Sequence, residues 1–461
     1  MIRIQKSILV LLAIILAACS SSDDTTQNIV PDDTPDAVRD DDIGTVVKLS
    51  QVTLVWVDST RISKRQETQT YTYSYRSHDA FGDTIRLTAL IGWPKANVDP
   101  QNLLIGCHIT ITDDAKAPSN FGISDAASDV GMLMMHAVDG DSPSSKALVI
   151  MPDYEGYGGT VKRTHPYLCQ ELTARQVVDA VRAGMKLFKE QNGQMADGWK
   201  TVVAGYSQGG AVAMAVHRMI EQQEGLADEL HFCGSVCGAG PYDLIATFQQ
   251  YVNDDKIYLP AVVPLILKGM CEYMPQLKGY EPSDFLTPSF VDTGVLDMIS
   301  QKTLSTGDIQ ERLDAYAKEH PEDLKFYFDD GGDYLKANMV LRPECIAYLT
   351  GENVSESDRP KMEALMQALK ANTVWGPWTG FGNWQPKHPI MDFHSVTDEV
   401  VPFVNYLQAY DYCQQYFNGR RFSSTFFNTH TSAGYMFFGF HCTSLMEDLL
   451  QGKASVTNID Q

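Results

Sequence analysis

Short, continuously apolar runs alternate with longer amphipathic segments through the middle of this 461-residue chain. The apolar runs are too short for helices, while the segments between them repeat apolar residues at helical spacing. Strands that are apolar along their whole length are buried on both faces, as in a parallel sheet covered by helices on each side. The pattern therefore predicts a doubly wound α/β fold with a mostly parallel sheet. The predicted strands are 103–111, 147–151, 201–205 and 232–239, and the predicted helices are 129–137, 171–191 and 208–223.

The segments that flank this pattern predict three further features. Residues 52–57, 70–75 and 85–93 alternate β-branched or aromatic residues with polar ones, which predicts antiparallel strands at the edge of the sheet.

Between 244 and 387 the alternation of strands and helices stops for longer than a loop would allow. We interpret this segment as an inserted helical cap with helices at 259–274, 309–320 and 359–371. The sheet then resumes, so the core comprises residues 46–243 and 388–461. Its last predicted elements are a strand at 389–394, a helix at 401–417, a strand at 422–427 and a closing helix at 433–450.

The first nineteen residues have the pattern of an export signal. Arg3 and Lys6 precede an apolar run at 8–16 that is too short to span a membrane. The sequence Leu-Ala-Ala-Cys that ends at Cys19 resembles the lipobox of bacterial lipoproteins, which implies removal of residues 1–18 and acylation of the Cys19 sulfur. The acidic stretch 19–45 would then be a solvated tether. We expect an envelope lipoprotein held by its lipid, with the outer membrane as its location; an ordinary cleaved signal peptide is the alternative.

Net charge and cysteine spacing exclude two kinds of site. The chain has 36 Lys and Arg against 58 Asp and Glu, a formal net charge of −22, so a nucleic acid would be repelled. Cys233 and Cys237 have too few other ligands nearby for a metal site, and we expect buried strand cysteines.

The sequence Gly-Tyr-Ser-Gln-Gly at 205–209 follows an apolar strand and precedes a helix of small residues. A G-x-S-x-G motif in this setting is typical of a nucleophile elbow, in which the serine lies on a sharp turn between strand and helix. Glycines are required on both sides because the backbone passes too close for a β-carbon. Ser207 is therefore the predicted nucleophile.

A serine needs a base and an orienting carboxylate, and in α/β-hydrolases these follow it in the order Ser, Asp or Glu, His. Asp398 falls in the loop after the strand 389–394, where side chains reach the ligand crevice, whereas Asp392 lies inside that strand. His430 directly follows the last strand, whereas His441 lies within the closing helix. We therefore predict Asp398 and His430, and keep Asp392 and His441 as alternatives.

Two backbone amides should stabilise the oxyanion that nucleophilic attack on a carbonyl creates. One is the amide of Gln208, directly after the nucleophile, and the other should come from the loop that follows the strand 103–111. We select Thr110 from that segment.

Together these motifs resemble the secretory-lipase, lipase A-like branch of the α/β-hydrolases over about residues 85–245 and 385–450. The more specific signatures are the segments 151–158 (Met-Pro-Asp-Tyr-Glu-Gly-Tyr-Gly) and 165–168 (His-Pro-Tyr-Leu). The resemblance implies a cap before the acid strand and hydrolysis of a small-molecule or lipid carboxylic ester without metal or organic cofactor. The chain departs from the family at Ile109, where relatives have glycine, and this side chain narrows the oxyanion loop.

Two other functions remain open at this point. A serine exopeptidase uses the same catalytic residues, although no β-propeller precedes the core. A catalytically silent binding lipoprotein would keep the fold without the chemistry, and Ile109 is the residue that suggests it. The aromatic cluster Trp375, Trp378, Phe381 and Trp384 lines a substrate pocket or packs cap against core.

Overall fold

The computed structural model describes residues 46–57, 65–95, 98–122, 127–416, 420–425 and 429–453. Cys19, the predicted signal peptide 1–18 and the tether 19–45 lie outside these residues. Within them, a nine-stranded sheet has the order β1-β2-β3-β5-β4-β6-β7-β10-β11. Its strands are β1 (Val46–Val57), β2 (Arg65–His78), β3 (Thr84–Pro94), β4 (Asn102–Cys107), β5 (Ala147–Pro152), β6 (Lys200–Tyr206), β7 (Phe232–Gly238), β10 (Ile390–Ser395) and β11 (Arg420–Thr425).

The direction of the strands confirms the predicted fold class. β1, β2 and β3 form an antiparallel edge, and β3 is antiparallel to β5. The remaining strands pair in parallel. The chain goes from β4 outward to β5 and then crosses back over β4 to reach β6, so the strand order reverses between β4 and β6. Ligand sites of open α/β sheets lie at such a switch point, at the carboxyl ends of the strands.

Alternate side chains of the central strands face two separate halves of the core. Leu103, Ile105 and Val203 pack toward one face, and Leu104 and Val202 pack toward the other. The pleat of a strand directs successive side chains to opposite faces of the sheet. Because helices bury both faces, both sets of side chains are apolar. Helices Gln170–Glu190 and Gln208–Gln222 cover the first face, and helices Asp129–Met134, His430–Met436 and Cys442–Leu450 cover the second.

The predicted cap region, 244–387, is mostly helical and also contains a small hairpin that the sequence pattern did not predict. The hairpin pairs β8 (Tyr327–Asp329) with β9 (Gly332–Tyr334). The helices of the region are Leu244–Asp254, Val262–Tyr273, Pro288–Asp292, Val295–Gln301, Thr306–Glu319, Ala337–Val340, Pro343–Leu349 and Arg359–Ala371.

Several predicted element boundaries were wrong. β4 ends at Cys107 rather than at 111, and the helix that follows β10 covers Val404–Tyr416. The closing helix begins at His430 rather than at 433, because Thr429 caps its first turn by accepting from the Ser432 amide. A π-helical turn, Phe437–His441, then interrupts it.

The aromatic cluster packs between the end of the cap region and the core. Trp375 stacks on Tyr412, and the Arg218 guanidinium lies 4.0 Å from the centre of the Trp378 ring. Trp384 is 1% exposed. These contacts favour the packing interpretation of the cluster over the pocket interpretation.

Of the two neighbouring cysteines, Cys237 is buried, as predicted, whereas Cys233 is half-buried. Among the described helices, none has the length and apolarity needed to cross a bilayer.

Candidate functional site

Ser207 lies in the sharp turn between β6 and helix Gln208–Gln222. Its backbone has φ 58° and ψ −124°, a strained conformation for a residue with a side chain. A β-carbon at Gly205 would lie 2.2 Å from the Gly209 carbonyl oxygen, and one at Gly209 would lie 2.1 Å from the Cys107 carbonyl oxygen. The turn therefore requires both glycines of the motif.

Three predicted residues meet in a continuous hydrogen-bonded chain at the carboxyl edge of the sheet. The His430 Nε2 atom lies 2.9 Å from the Ser207 hydroxyl, and the His430 Nδ1 atom lies 2.7 Å from Asp398 Oδ2. Because an ionised carboxylate only accepts hydrogen bonds, Nδ1 carries the proton and Nε2 accepts from the serine. Ser207 directly follows β6, Asp398 lies in the loop after β10, and His430 begins the helix that follows β11.

The Asp398 carboxylate is fixed on both oxygens. Its Oδ1 accepts from the amides of Val400 at 3.0 Å and Val401 at 2.7 Å, which leaves Oδ2 for His430. The side chain of His394 packs behind it, with Nε2 3.6 Å from Oδ2. This arrangement holds the imidazole in one orientation.

Two acidic side chains set the proton affinity of His430. Burial disfavours its imidazolium form, but the charge and hydrogen bond of Asp398 and the charge of Glu399 outweigh this cost and raise the pKa of His430 above its ordinary value. Glu399 also accepts from the His430 amide at 2.8 Å.

The two alternative residues have other partners. Asp392 is fully buried in β10, where its Oδ1 accepts from the Tyr242 hydroxyl at 2.8 Å. Burial raises the pKa of Asp392 to about 7. The His441 ring stacks on Phe393 at 4.4 Å in the π-helical turn.

The first predicted oxyanion residue, Gln208, directly follows Ser207. The amide of Gln208 is in the first turn of its helix, where backbone N–H groups have no partner within the helix. Its side chain is anchored by His165, whose Nε2 lies 2.8 Å from Gln208 Nε2. Burial lowers the pKa of His165 to about 3, so its neutral ring accepts this bond.

The loop after β4 is held by an acidic residue that the sequence analysis missed. Asp129 Oδ2 accepts from the amide of Ile109 at 2.9 Å, which leaves that amide unable to bind an oxyanion. Among the described residues, the Thr110 amide has no acceptor, while its hydroxyl pairs with the Tyr167 hydroxyl at 2.8 Å. Burial raises the pKa of Asp129. Nothing in the sequence distinguishes Asp129 from other helix-start aspartates, because its partner lies twenty residues earlier.

Ser207 and His430 open into a cavity of about 380 Å³ with a mostly apolar wall. Ile109, Thr110 and Asp129 line it beside the serine. The cap region contributes a further set of wall residues: Thr247, Tyr251, Leu259, Val262, Ile266 and Thr306. Ile109 is therefore part of the cavity wall.

Comparisons with known proteins agree with this fold. The secretory lipase family profile matches residues 144–286, which contain the elbow. The rice cell wall degrading esterase LipA from Xanthomonas oryzae is 20% identical, with a TM-score of 0.65 over 89% of this chain and 99% of that one. Candida antarctica lipase A is 15% identical, with a TM-score of 0.60 over 91% of this chain and 85% of that one. No curated protein sequence matches the chain.

The molecule therefore has the α/β-hydrolase fold with helical insertions. Its central segment is similar to the secretory lipases, which confirms the resemblance predicted from the motifs. The family match supports a hydrolase that acts on esters and an exported protein.

Proposed function

We propose that this chain is a serine hydrolase that cleaves carboxylic esters through Ser207, His430 and Asp398. The observation that carries the proposal is the hydrogen-bonded chain from the Ser207 hydroxyl to Asp398, which opens into an apolar cavity. A serine hydroxyl becomes a nucleophile when a positioned base accepts its proton, and this geometry supplies one.

In the acylation step, Ser207 Oγ attacks the ester carbonyl carbon while its proton passes to His430 Nε2. The carbonyl oxygen becomes an anion that the amides of Gln208 and Thr110 stabilise. The carbon–oxygen bond to the alcohol then breaks, and the alcohol departs with the proton from Nε2. A water molecule repeats the sequence on the acyl-serine and releases the carboxylic acid.

The apolar cavity wall favours an ester substrate over an exopeptidase's peptide, and the hydrogen-bonded chain favours an enzyme over a silent binding protein. A peptide amine would require several polar partners, whereas the exposed area of the wall is mostly apolar. An intact base and acid at hydrogen-bonding distance argue against a silent binding protein. The cap region forms one wall of the cavity, so in this proposal it acts as a lid that selects the size of the acyl or alcohol group.

The test is fluorophosphonate labelling of the purified chain, followed by turnover of p-nitrophenyl esters of rising acyl length and of an aminoacyl amide. We expect labelling and ester turnover that Ser207→Ala abolishes and that Ser300→Ala, an exposed serine on a cap helix, retains. Turnover of the amide in preference to every ester would replace the esterase with an exopeptidase. Absence of both labelling and turnover would favour the binding protein.

We also propose that Cys19 carries a lipid that holds the protein to the cell envelope, on the evidence of its lipobox-like sequence. Metabolic labelling with an alkyne fatty acid should mark the chain, and Cys19→Ala should remove the label. An unlabelled wild-type chain would indicate an ordinary cleaved signal instead.

A further inference from the structure

Two histidines and a glutamate converge outside the cavity that contains Ser207. His217 and Glu221 lie one turn apart on helix Gln208–Gln222, and His388 lies just before β10. His217 Nε2 is 3.0 Å from Glu221 Oε1, and His388 Nδ1 is 2.9 Å from the same oxygen. We call these three residues the His217–Glu221–His388 cluster.

Glu221 Oε1 is crowded by nitrogen atoms. Besides the two imidazoles, the amides of Lys387 at 2.8 Å and His388 at 2.6 Å donate to it. A carboxylate has about four acceptor positions on its two oxygens. Two of these are taken by the amides, so the two imidazoles that also point at Oε1 compete for the room that is left. Both rings nevertheless direct a nitrogen at this one point.

We propose that the His217–Glu221–His388 cluster binds a divalent transition metal ion such as Zn²⁺. Imidazole nitrogen and carboxylate oxygen are ligands that Zn²⁺ prefers, at about 2.0–2.2 Å. Ligand atoms of a tetrahedral zinc site are then about 3.3 Å apart. The two nitrogen–oxygen separations of the cluster lie a few tenths of an ångström below this value, so small side-chain shifts would admit the ion.

The surroundings of the cluster are those of a metal site. Metal-bound histidines usually donate their other ring nitrogen to a fixed partner, and His217 Nδ1 lies 2.8 Å from the Ser235 hydroxyl. Trp384 Nε1 donates to Glu221 Oε2 at 2.7 Å and orients the carboxylate. The side chains of His217 and Glu221 are 0% and 2% exposed, whereas that of His388 is 30% exposed. This exposure leaves an entry path and a position for water.

The ionisation state of Glu221 suits a ligand. Two backbone amides and the Trp384 indole N–H donate to its carboxylate, which stabilises the ionised form. A carboxylate ligand must be deprotonated to bind a metal ion. An ion at this position would join the helix that begins after Ser207 to the chain that enters β10 and leads to Asp398, and would stabilise the folded chain by linkage.

The test uses the untagged, chelator-treated chain with Zn²⁺ alone, measured by equilibrium dialysis with elemental mass spectrometry and by thermal unfolding. We expect about one Zn²⁺ retained per chain and a Tm that rises with Zn²⁺. His388→Asn keeps an amide donor for Glu221 but removes the imidazole ligand, so it should lose both effects.

The matched control is His320→Asn on the cap region, which alters a group made of half-buried His320 and exposed Glu322 and Asp323. This variant should retain the ion. A wild-type chain that retains no Zn²⁺, or a folded His388→Asn variant that retains as much as wild type, would overturn the proposal. Because the readout is bound metal, its outcome is independent of ester turnover.

Discussion

At the scale of single residues, His430 and Ser207 should act as one unit. We expect His430→Ala and Ser207→Ala to be about equally inactive toward esters, and the double variant to be hardly worse, because residues that transfer one proton do not contribute additively. His441→Ala should retain most activity, since that ring stacks on Phe393. The measurement is kcat/KM for the three single variants and the double variant. An inactive His441→Ala beside an active His430→Ala would move the base into the closing helix.

The charge of Glu399 should influence how ester turnover depends on pH. The base works only when neutral, so kcat/KM should fall as pH drops through the pKa of His430, which lies above the ordinary value of about 6.5. Glu399→Gln keeps an oxygen for the His430 amide but removes a negative charge that stabilises the imidazolium. The acidic limb of the pH profile should therefore shift to lower pH. An unchanged limb, or a shift to higher pH, would contradict this role for Glu399.

Asp129 should act as a positioning residue for the oxyanion loop. Asp129→Ala releases the Ile109 amide and lets the Thr110 amide move, so we expect kcat to fall by about 10- to 100-fold with little change in KM. Asp129→Asn keeps an acceptor oxygen and should recover most of the lost rate. Steady-state kinetics at one pH, with unfolding curves for both variants, test this. Equal rates for Asp129→Ala and wild type would exclude the role.

The sequence predicted those site residues whose signals are local. Ser207 lies within a motif, and Asp398 and His430 follow it in the order that the topology requires. Asp129 and His165 could not be predicted as site residues, because no motif or chain order links them to the partners they contact. Such contacts depend on how loops meet at the sheet edge, and a single sequence does not contain that information.

At the scale of elements, the elbow should tolerate no side chain at Gly209. Gly209→Ala would place a β-carbon 2.1 Å from a backbone oxygen of β4, and backbone cannot move aside as a flexible side chain can. We expect a loss of stability of about 3 kcal/mol or more in denaturant unfolding. Gly307→Ala is the matched control, because its nearest neighbour would be 3.6 Å away and alanine favours a helix by about 0.5–1 kcal/mol. Equal stability of the two variants would disprove the steric argument.

The existence and type of the core elements followed from periodicity, whereas their ends did not. β4 was predicted to continue to 111 because residues 108–111 are of strand-forming types, yet these residues leave the sheet to form the loop that carries Thr110. The closing helix starts three residues before its predicted start, because the Thr429 side chain accepts from the Ser432 amide and caps the first turn. Both boundaries depend on hydrogen bonds that periodicity does not encode.

At the scale of the whole molecule, Lys302 connects the cap region to the core through hydrogen bonds. Its side chain is 5% exposed, and its ammonium group donates to the carbonyl oxygens of Gly156, Val161 and Arg163. Lys302→Met keeps the stem but leaves these acceptors unpaired, so the free energy of unfolding should fall by about 3 kcal/mol. The exposed Lys318→Met should change it by less than about 0.5 kcal/mol. Denaturant unfolding of both variants measures the difference, and equal stabilities would show that Lys302 contributes no attachment.

The fold class was predictable because parallel strands that are buried on both faces need continuous apolar runs. The interior of the region 244–387 was not predictable in the same way. Its short helices and the hairpin of β8 and β9 have no common period, and their positions depend on contacts with the core such as that of Lys302.

The order of Ser207, Asp398 and His430 along the chain determines when the site is complete during synthesis. Between Ser207 and His430 lie 222 residues, so the last part of the chain to be made contains the proposed base. A ribosome-bound fragment that ends before β10 has the elbow but neither Asp398 nor His430 to take a proton from it. Under the proposed mechanism, ester cleavage is therefore a property of the finished molecule, and truncated products would be chemically inert.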